Sequence, residues 1–514
     1  MLDESPRVVD TMKKILSVFI VLCLIGWTYF YIEYRKSAAV LEPHEVDKKF
    51  VSIKDNQFYV DGQPFYPKVI NFVISLRVND TAMWPAIYVG YGPNGLFPYD
   101  DKISSLKDLQ AHLNLVKELG YNTVRLVGIG EPEVRDRTTG RINFKASFGN
   151  NHNYCLYLNN DNDYTKYLNA LDELMKAVEN AGLKAILTTR LFKESHDTEI
   201  NLEKITSHFK DNTSLLAYDF FNEPLYFDSL ERKKEDVYYI TLKWQKIAKK
   251  NDPNHLTTIG LANQRELFEW DPNLMNVDFV SFHPYEYEKD QVRNELYWYN
   301  RFVKKPWIIG ETGIPADNDS VPYSDQVAFA NKTMLQNYNC GGMGYSWWQF
   351  KDVDWKIYHQ NFLGVLSWTG ETKTSKGEIV NGTPKPVNKT INDFDVKQKK
   401  GKCECLSNYY NFSNNNKFRV TGKMVDEDGA PIEGGEILAW DEWWVNHHVT
   451  TTKPDGTFEL YSEYSFYHWM VAGPLYDRIR GDYKPDTASI GSDGIPTLKM
   501  GTITLKKLNV SAVQ

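Results

Sequence analysis

Seven polar or aromatic residues stand where apolar runs of this 514-residue chain stop, and their types suit one chemistry. They are Arg125 in "NTVRLVG", Asn222 and Glu223 in "YDFFNEP", His283 and Tyr285 in "FHPY", Glu311 in "WIIGETG" and Trp348 in "GYSWWQF". Two carboxylates, cationic or polarisable donors, a phenol, a carboxamide and an aromatic plate are what hydrolysis of a glycosidic bond requires. One carboxylic acid protonates the leaving oxygen, and one carboxylate meets the oxocarbenium-like carbon from the other face. Trp348 is preferred over Trp347 by the W-x-F-x-D spacing to Asp352, because successive strand residues face opposite ways. With 67 acidic residues in the chain, two glutamates mean little unless the fold brings them to one rim.

The elements that would do so are legible. From about 50 to 386, short apolar runs alternate with amphipathic stretches. "LKDLQAHLNLVKELG" places Leu106, Leu109, Leu113 and Val116 on one face and stops at Gly120; "YLNALDELMKAVENAG" repeats the scheme and stops at Gly182. Strand-like runs fall at 68–74, 123–127, 185–189, 216–222, 256–260, 278–283, 307–311 and 341–348. Mostly apolar strands expect cover on both sides, and eight of them alternating with helices predict an α/β fold, a closed (β/α)8 TIM barrel. The glycine-rich phosphate motifs of an open doubly wound sheet follow none of them. In such a barrel the active site lies at the C-terminal ends of the strands, where the seven residues stand.

The rest of the chain divides around that barrel. Residues 1–12 read as a tail and 13–36 as a membrane-spanning helix or a secretory signal peptide. Ile15 to Ile32 carry no charge and are flanked by Lys13, Lys14, Arg35 and Lys36, while "KSAAV" offers small residues for cleavage. Either route takes the bulk of the chain out of the cytoplasm, membrane-anchored or secreted. Residues 37–49 join this segment to the barrel at 50–395. The polar, Asn- and Lys-rich stretch 387–417 reads as connecting chain, with 396–417 as the linker. Short β runs separated by "EDG", "EGG" and "PDG" turns over 418–508 predict a small all-β sandwich. Since every candidate residue precedes it, the sandwich is expected to be dispensable for the chemistry. "WDEWWVNHH" at 440–448 reads as an exposed loop rather than a sugar platform or metal site.

Composition excludes some functions. A net charge of −8, spread along the chain, offers no basic field to nucleic acid. The five cysteines, Cys23, Cys155, Cys340, Cys403 and Cys405, lack metal-ligand spacing, leaving free thiols or one disulfide open. The chemistry needs no metal or organic cofactor. No sequence feature signals an oligomeric state.

The chain resembles the clan A (β/α)8 glycoside hydrolases, most closely family 5, that of endo-β-glucanases and β-mannanases. The matching segments are "FYVDGQPFYPKVIN", "LGYNTVRL", "LAYDFFNEP", "HPY", "KPWIIGETG", "GYSWWQFKD" and "NFLGVLSW", in order over about 50–395. The resemblance implies a retaining two-glutamate mechanism on a β-linked glucan or mannan, with Glu223 as acid/base and Glu311 as nucleophile. Asn222 would bond the sugar 2-hydroxyl, Arg125 and Tyr285 would aim Glu311, His283 would sit near the acid/base, and Trp348 would carry the reacting sugar. A transglycosylase of the same mechanism, or a catalytically silent glycan-binding protein, are the other functions this set admits. Many family members end the third strand with an Asp-x-His type sequence; this chain has "ILTTRLFKESHD", with Arg190 and His196 there. The tail over 418–506 resembles the carboxypeptidase-regulatory-like, prealbumin-like sandwiches.

Overall fold

A computed structural model describes residues 47–508, apart from 80, 92–97, 129–131, 136–141, 149–150, 158–160, 190–195, 228–230, 399–400, 412–416 and 484–487. The expected segment 13–36, Arg190, and the side chains of Cys155 and His196 lie outside the described residues. Among those described, no helix is long and apolar enough to cross a membrane.

All eight expected strands form. They are β1 (Lys68–Val78), β2 (Thr123–Val127), β3 (Lys184–Thr188), β4 (Leu215–Asn222), β5 (Leu256–Leu261), β6 (Val280–Phe282), β7 (Trp307–Ile309) and β8 (Tyr345–Trp347). Each pairs in parallel with the next from β1 to β7, and β8 pairs in parallel with β1. The ring closes through backbone bonds from Ile309 to Gly344 and from Met343 to Trp307, at 3.2 and 2.9 Å. This is a (β/α)8 barrel. Its strands are apolar on both faces because one face fills the barrel interior and the other meets the helices; β4 and β5 are buried almost throughout.

The outer layer comprises α1 (Lys102–Glu118), α2 (Asp161–Asn180), α3 (His196–Phe209), α4 (Lys234–Asn251), α5 (Gln291–Phe302), α6 (Tyr323–Asn339) and α7 (Val387–Asp393). The helix α7 corrects the reading of 387–393 as connecting chain: its Val387 and Ile391 are buried in the barrel's apolar cluster. After β5 only a short 3-10 turn, Gln264–Phe268, occupies the place of a helix.

The second module fills that gap. Two four-stranded sheets form a sandwich. One contains β9 (Phe418–Asp426), β12 (Thr457–Ser462), β15 (Ser489–Ile490) and β16 (Pro496–Leu505). The other contains β10 (Glu436–Trp440), β11 (His447–Thr451), β13 (His468–Ala472) and β14 (Arg478–Asp482). Alternate residues of β10 and β13 serve two cores, as the period-two geometry of a strand allows. Ile437, Ala439 and Val471 join the sandwich interior, whereas Leu438 and Ala472 join the barrel's own cluster.

Buried polar contacts fix the junction. Lys234 Nζ donates to Asp271 and to the Gly473 carbonyl at 3.2 and 2.9 Å, Asp271 accepts from the Leu475 amide, and Gln264 donates to Glu436. The Cys340–Cys403 disulfide ties the connecting segment to the end of α6, and Gln336 and Arg293 bond Glu404 beside it. Cys405 is a free, exposed thiol. The sandwich therefore shares a core and buried polar contacts with the barrel, where its turn pattern suggested a separate module.

Candidate active site

Arg125 organises the rim. It is 1% exposed on β2 and uses its fork on four partners: Nε on Asp219 at 2.8 Å, one terminal nitrogen on Asn71 at 2.9 Å and Glu311 at 2.6 Å, and the other on Asn222 at 2.7 Å. Burial alone would weaken its charge, but Asp219 and Glu311 more than offset that and raise its pKa.

Asp219 and Asn71 were not among the expected site residues. Both interrupt apolar strand runs, "LLAYDFFN" and "KVINFVI", and a buried polar group in such a run must be partnered. That was the available signal. Asp219 is fully buried and also accepts from the Gly260 amide at 3.1 Å. Asn71 donates to the Gly310 and Trp347 carbonyls and to Ser346, locking β1 to β7 and β8.

Glu223 leaves its strand abruptly. The β4–β5 register shifts between Asp219 and Asn222, and Glu223 then adopts φ 49°, a left-handed conformation that costs a glutamate about 1–3 kcal/mol. Its amide is held by the Gly260 carbonyl at 2.8 Å. This kink aims the carboxylate at His283, whose Nδ1 lies 2.9 Å from Glu223 Oε1 and 3.5 Å from Glu311 Oε1. Burial pushes the Glu223 carboxyl up to about 7 against the attraction of Arg125 and Arg265. Burial also pushes His283 down to about 4, so its imidazole is neutral at pH 7.

Two glycines make room for that ring. A methyl group on Gly260 would fall 2.6 Å from His283 Cε1, and one on Gly310 would meet Ser281 Oγ at 1.8 Å and His283 Nε2 at 2.8 Å.

Glu311 is held on both oxygens, by Arg125 on Oε1 and by the Tyr285 hydroxyl on Oε2 at 2.9 Å. Burial raises its pKa, against His283, Arg125 and the Tyr285 hydrogen bond. One carboxylate oxygen of Glu223 and one of Glu311 lie within 4.8 Å of each other and of an imidazole nitrogen. That triad is the group among the described residues able to converge on a cation; in it His283 Nδ1 faces both carboxylates, at 2.9 Å from Glu223 and 3.5 Å from Glu311.

Six of the seven expected residues are thus brought into one hydrogen-bonded network: Arg125, Asn222, Glu223, His283, Tyr285 and Glu311. Trp348 stands half-buried at the end of β8 with its ring 6.3 Å from Trp355, outside the network. Trp347 is core, its Nε1 donating to the Leu363 carbonyl at 2.8 Å. Asp352 faces away to Lys385, at 2.8 Å.

A barrel whose strand ends present two close carboxylates is the architecture of a glycoside hydrolase. Residues 95–351 match the family described as Cellulase (glycosyl hydrolase family 5), and the chain belongs to that family. Similar solved structures include an exo-β-1,4-mannosidase from Opitutaceae bacterium strain TAV5, at 15% identity and TM-score 0.44, covering 68% of this chain and 61% of that one. An endo-1,4-β-mannanase from Rhizomucor miehei is similar at 15% identity and TM-score 0.39, covering 58% and 90%. A β-glucosidase from Thermotoga maritima is similar at 11% identity and TM-score 0.41, covering 64% and 98%. The chain thus spans less than two thirds of the length of the mannosidase. No curated protein matches it in sequence.

Proposed function

We propose that this chain is a retaining β-glycosidase acting on a β-1,4-linked glucan or mannan, with Glu223 as acid/base and Glu311 as nucleophile. The observation that carries this is the approach of the two carboxylates to within 4.8 Å. Retaining enzymes hold their carboxyl groups about 5–5.5 Å apart, whereas inverting ones leave about 6.5–9.5 Å for an intervening water.

The environments assign the roles. Glu223 keeps its proton to about neutral pH and has one neutral partner, His283, which suits an acid. Glu311 sits between a guanidinium and a phenol, which favour its ionised form and fix its direction. Glu223 gives its proton to the glycosidic oxygen while Glu311 bonds to the anomeric carbon. Glu223 then takes a proton from water, which displaces Glu311 and releases a sugar of the original configuration. Asn222 Oδ1 is engaged by Arg125, so its amide nitrogen is the group left to meet the 2-hydroxyl. Trp348 supplies the plate for the reacting sugar. The Cys340–Cys403 pairing favours an oxidising location, in keeping with 13–36 as an anchor or signal.

The test compares leaving groups. Glu223→Ala should lose about 10²–10⁴ in kcat/KM on natural glycosides but far less on an aryl glycoside with an acidic phenol, whereas Glu311→Ala should fail on both. Equal losses for Glu223→Ala on the two substrates would remove it from the acid role.

A further inference from the structure

The sandwich reaches the active-site rim. A cavity of about 370 Å³ opens between the modules, walled on the barrel side by Tyr226, Arg265, Tyr287 and Glu288 and on the sandwich side by His447 and His448 of β11. Its position relative to the carboxylates is asymmetric. Tyr226 lies one turn beyond Glu223, its amide bonded to the Glu223 carbonyl at 3.0 Å, and Arg265 attracts the Glu223 carboxylate. Arg125 and Trp348, from β2 and the end of β8, stand on other sectors of the rim.

An acid that protonates the leaving oxygen necessarily has the leaving group on its own side. On the glycosidase reading above, we infer that this cavity is a binding site for an uncharged sugar unit of the leaving group, and that the C-terminal sandwich completes it through His447.

The wall chemistry fits a sugar. Tyr226 and Tyr287, 55% and 68% exposed, offer ring faces for C–H surfaces and hydroxyls for hydrogen bonds. Arg265 is pinned rather than free: Nε donates to Asn263 at 3.0 Å, one terminal nitrogen to the Tyr226 hydroxyl at 2.8 Å, and the other to His447 Nε2. These partners are neutral, since burial and the adjacent guanidinium push His447 down to about 4. Arg265 and Glu288 both line the cavity, one charge of each sign, which gives an uncharged sugar the advantage over an anionic one. Gln291 accepts from the Tyr287 and Glu288 amides at 3.2 Å, fixing the loop that carries them. His447 therefore acts as a positioning residue for Arg265.

The experiment compares two substrates of the sugar the full chain turns over: an aryl glycoside, whose leaving group is no sugar, and the matching β-linked oligosaccharide. For His447→Ala and, separately, Tyr287→Ala, the ratio of kcat/KM on oligosaccharide to that on aryl glycoside should fall about tenfold, chiefly through KM. His447→Gln, which keeps an acceptor for Arg265, should restore most of the ratio. Ile490→Ala, on the far sheet of the sandwich, should leave it unchanged. A ratio within twofold of wild type in both Ala variants, or an equal loss on both substrates, overturns the site. Wild-type inertness on every aryl glycoside and oligosaccharide tried would instead strike the glycosidase reading itself.

Discussion

Asp219→Asn removes one charge from the centre of the network while keeping its shape. Arg125 and Asp219 meet at 2.8 Å with both side chains essentially buried. At an effective dielectric of about 20, that attraction is on the order of 6 kcal/mol. Relief of the carboxylate's desolvation returns part of it, and breaking a buried pair leaves a net cost of about 3–5 kcal/mol. The asparagine amide also places a donor against either Arg125 Nε or the Gly260 amide, both of which now donate to Asp219. Melting should therefore shift down by several degrees. The diagnostic effect is on titration. Asp219 holds the Glu223 pKa up, so its loss lowers that pKa from about 7. Arg125, relieved of one carboxylate, stabilises ionised Glu311 more strongly, so that pKa falls too. Both limbs of the kcat/KM–pH profile on a β-linked oligosaccharide, whose leaving group needs the Glu223 proton, should move to lower pH. A variant with wild-type melting and an unmoved profile would refute Asp219 as the counter-ion that sets this network.

Gly260→Ala should displace His283, because the added methyl lies 2.6 Å from its ring; activity should fall about 10²-fold while the alkaline limb of the pH profile shifts, read against the same profile for wild type. Truncation after Lys399 should yield an aggregating or markedly less stable barrel, since it strips Leu438 and Ala472 from the shared cluster and two partners from Lys234 and Asp271; an equally stable truncated barrel in thermal melts would show the junction to be superficial. Leu438→Ala is the milder form of the same change, expected to cost about 2–5 kcal/mol.

The strand ends were legible because a barrel's rim is defined by where apolar runs stop. Glu223, His283 and Glu311 stand just past strand ends and could be placed from that, whereas Arg125 sits in the middle of β2 and was placed with them by the resemblance. Asp219 and Asn71 were harder, because they lie inside the runs and act on Arg125 and the strand frame, not on a rim position. Their polarity amid apolar neighbours was the only mark they left. The docking of the sandwich was illegible for a different reason. "EILAW" reads as a strand of one small module, and nothing local says that Leu438 points to a second core while Ile437 and Ala439 point to the first. The absent helix after β5 was the complementary sign, visible only once the neighbouring helices had been counted. Strand parity put Trp347 and Trp348 on opposite sides, and the structure has Trp347 in the core and Trp348 half-buried, while Asp352, used to set that parity, serves Lys385.

Proton NMR of the first-formed product from a β-glycoside tests the central claim most directly. With Glu223 and Glu311 oxygens within 4.8 Å, the new reducing end should appear in the β configuration and only later mutarotate to the α form. Initial appearance of the α anomer would mean that water attacks directly, and would contradict a covalent Glu311 intermediate.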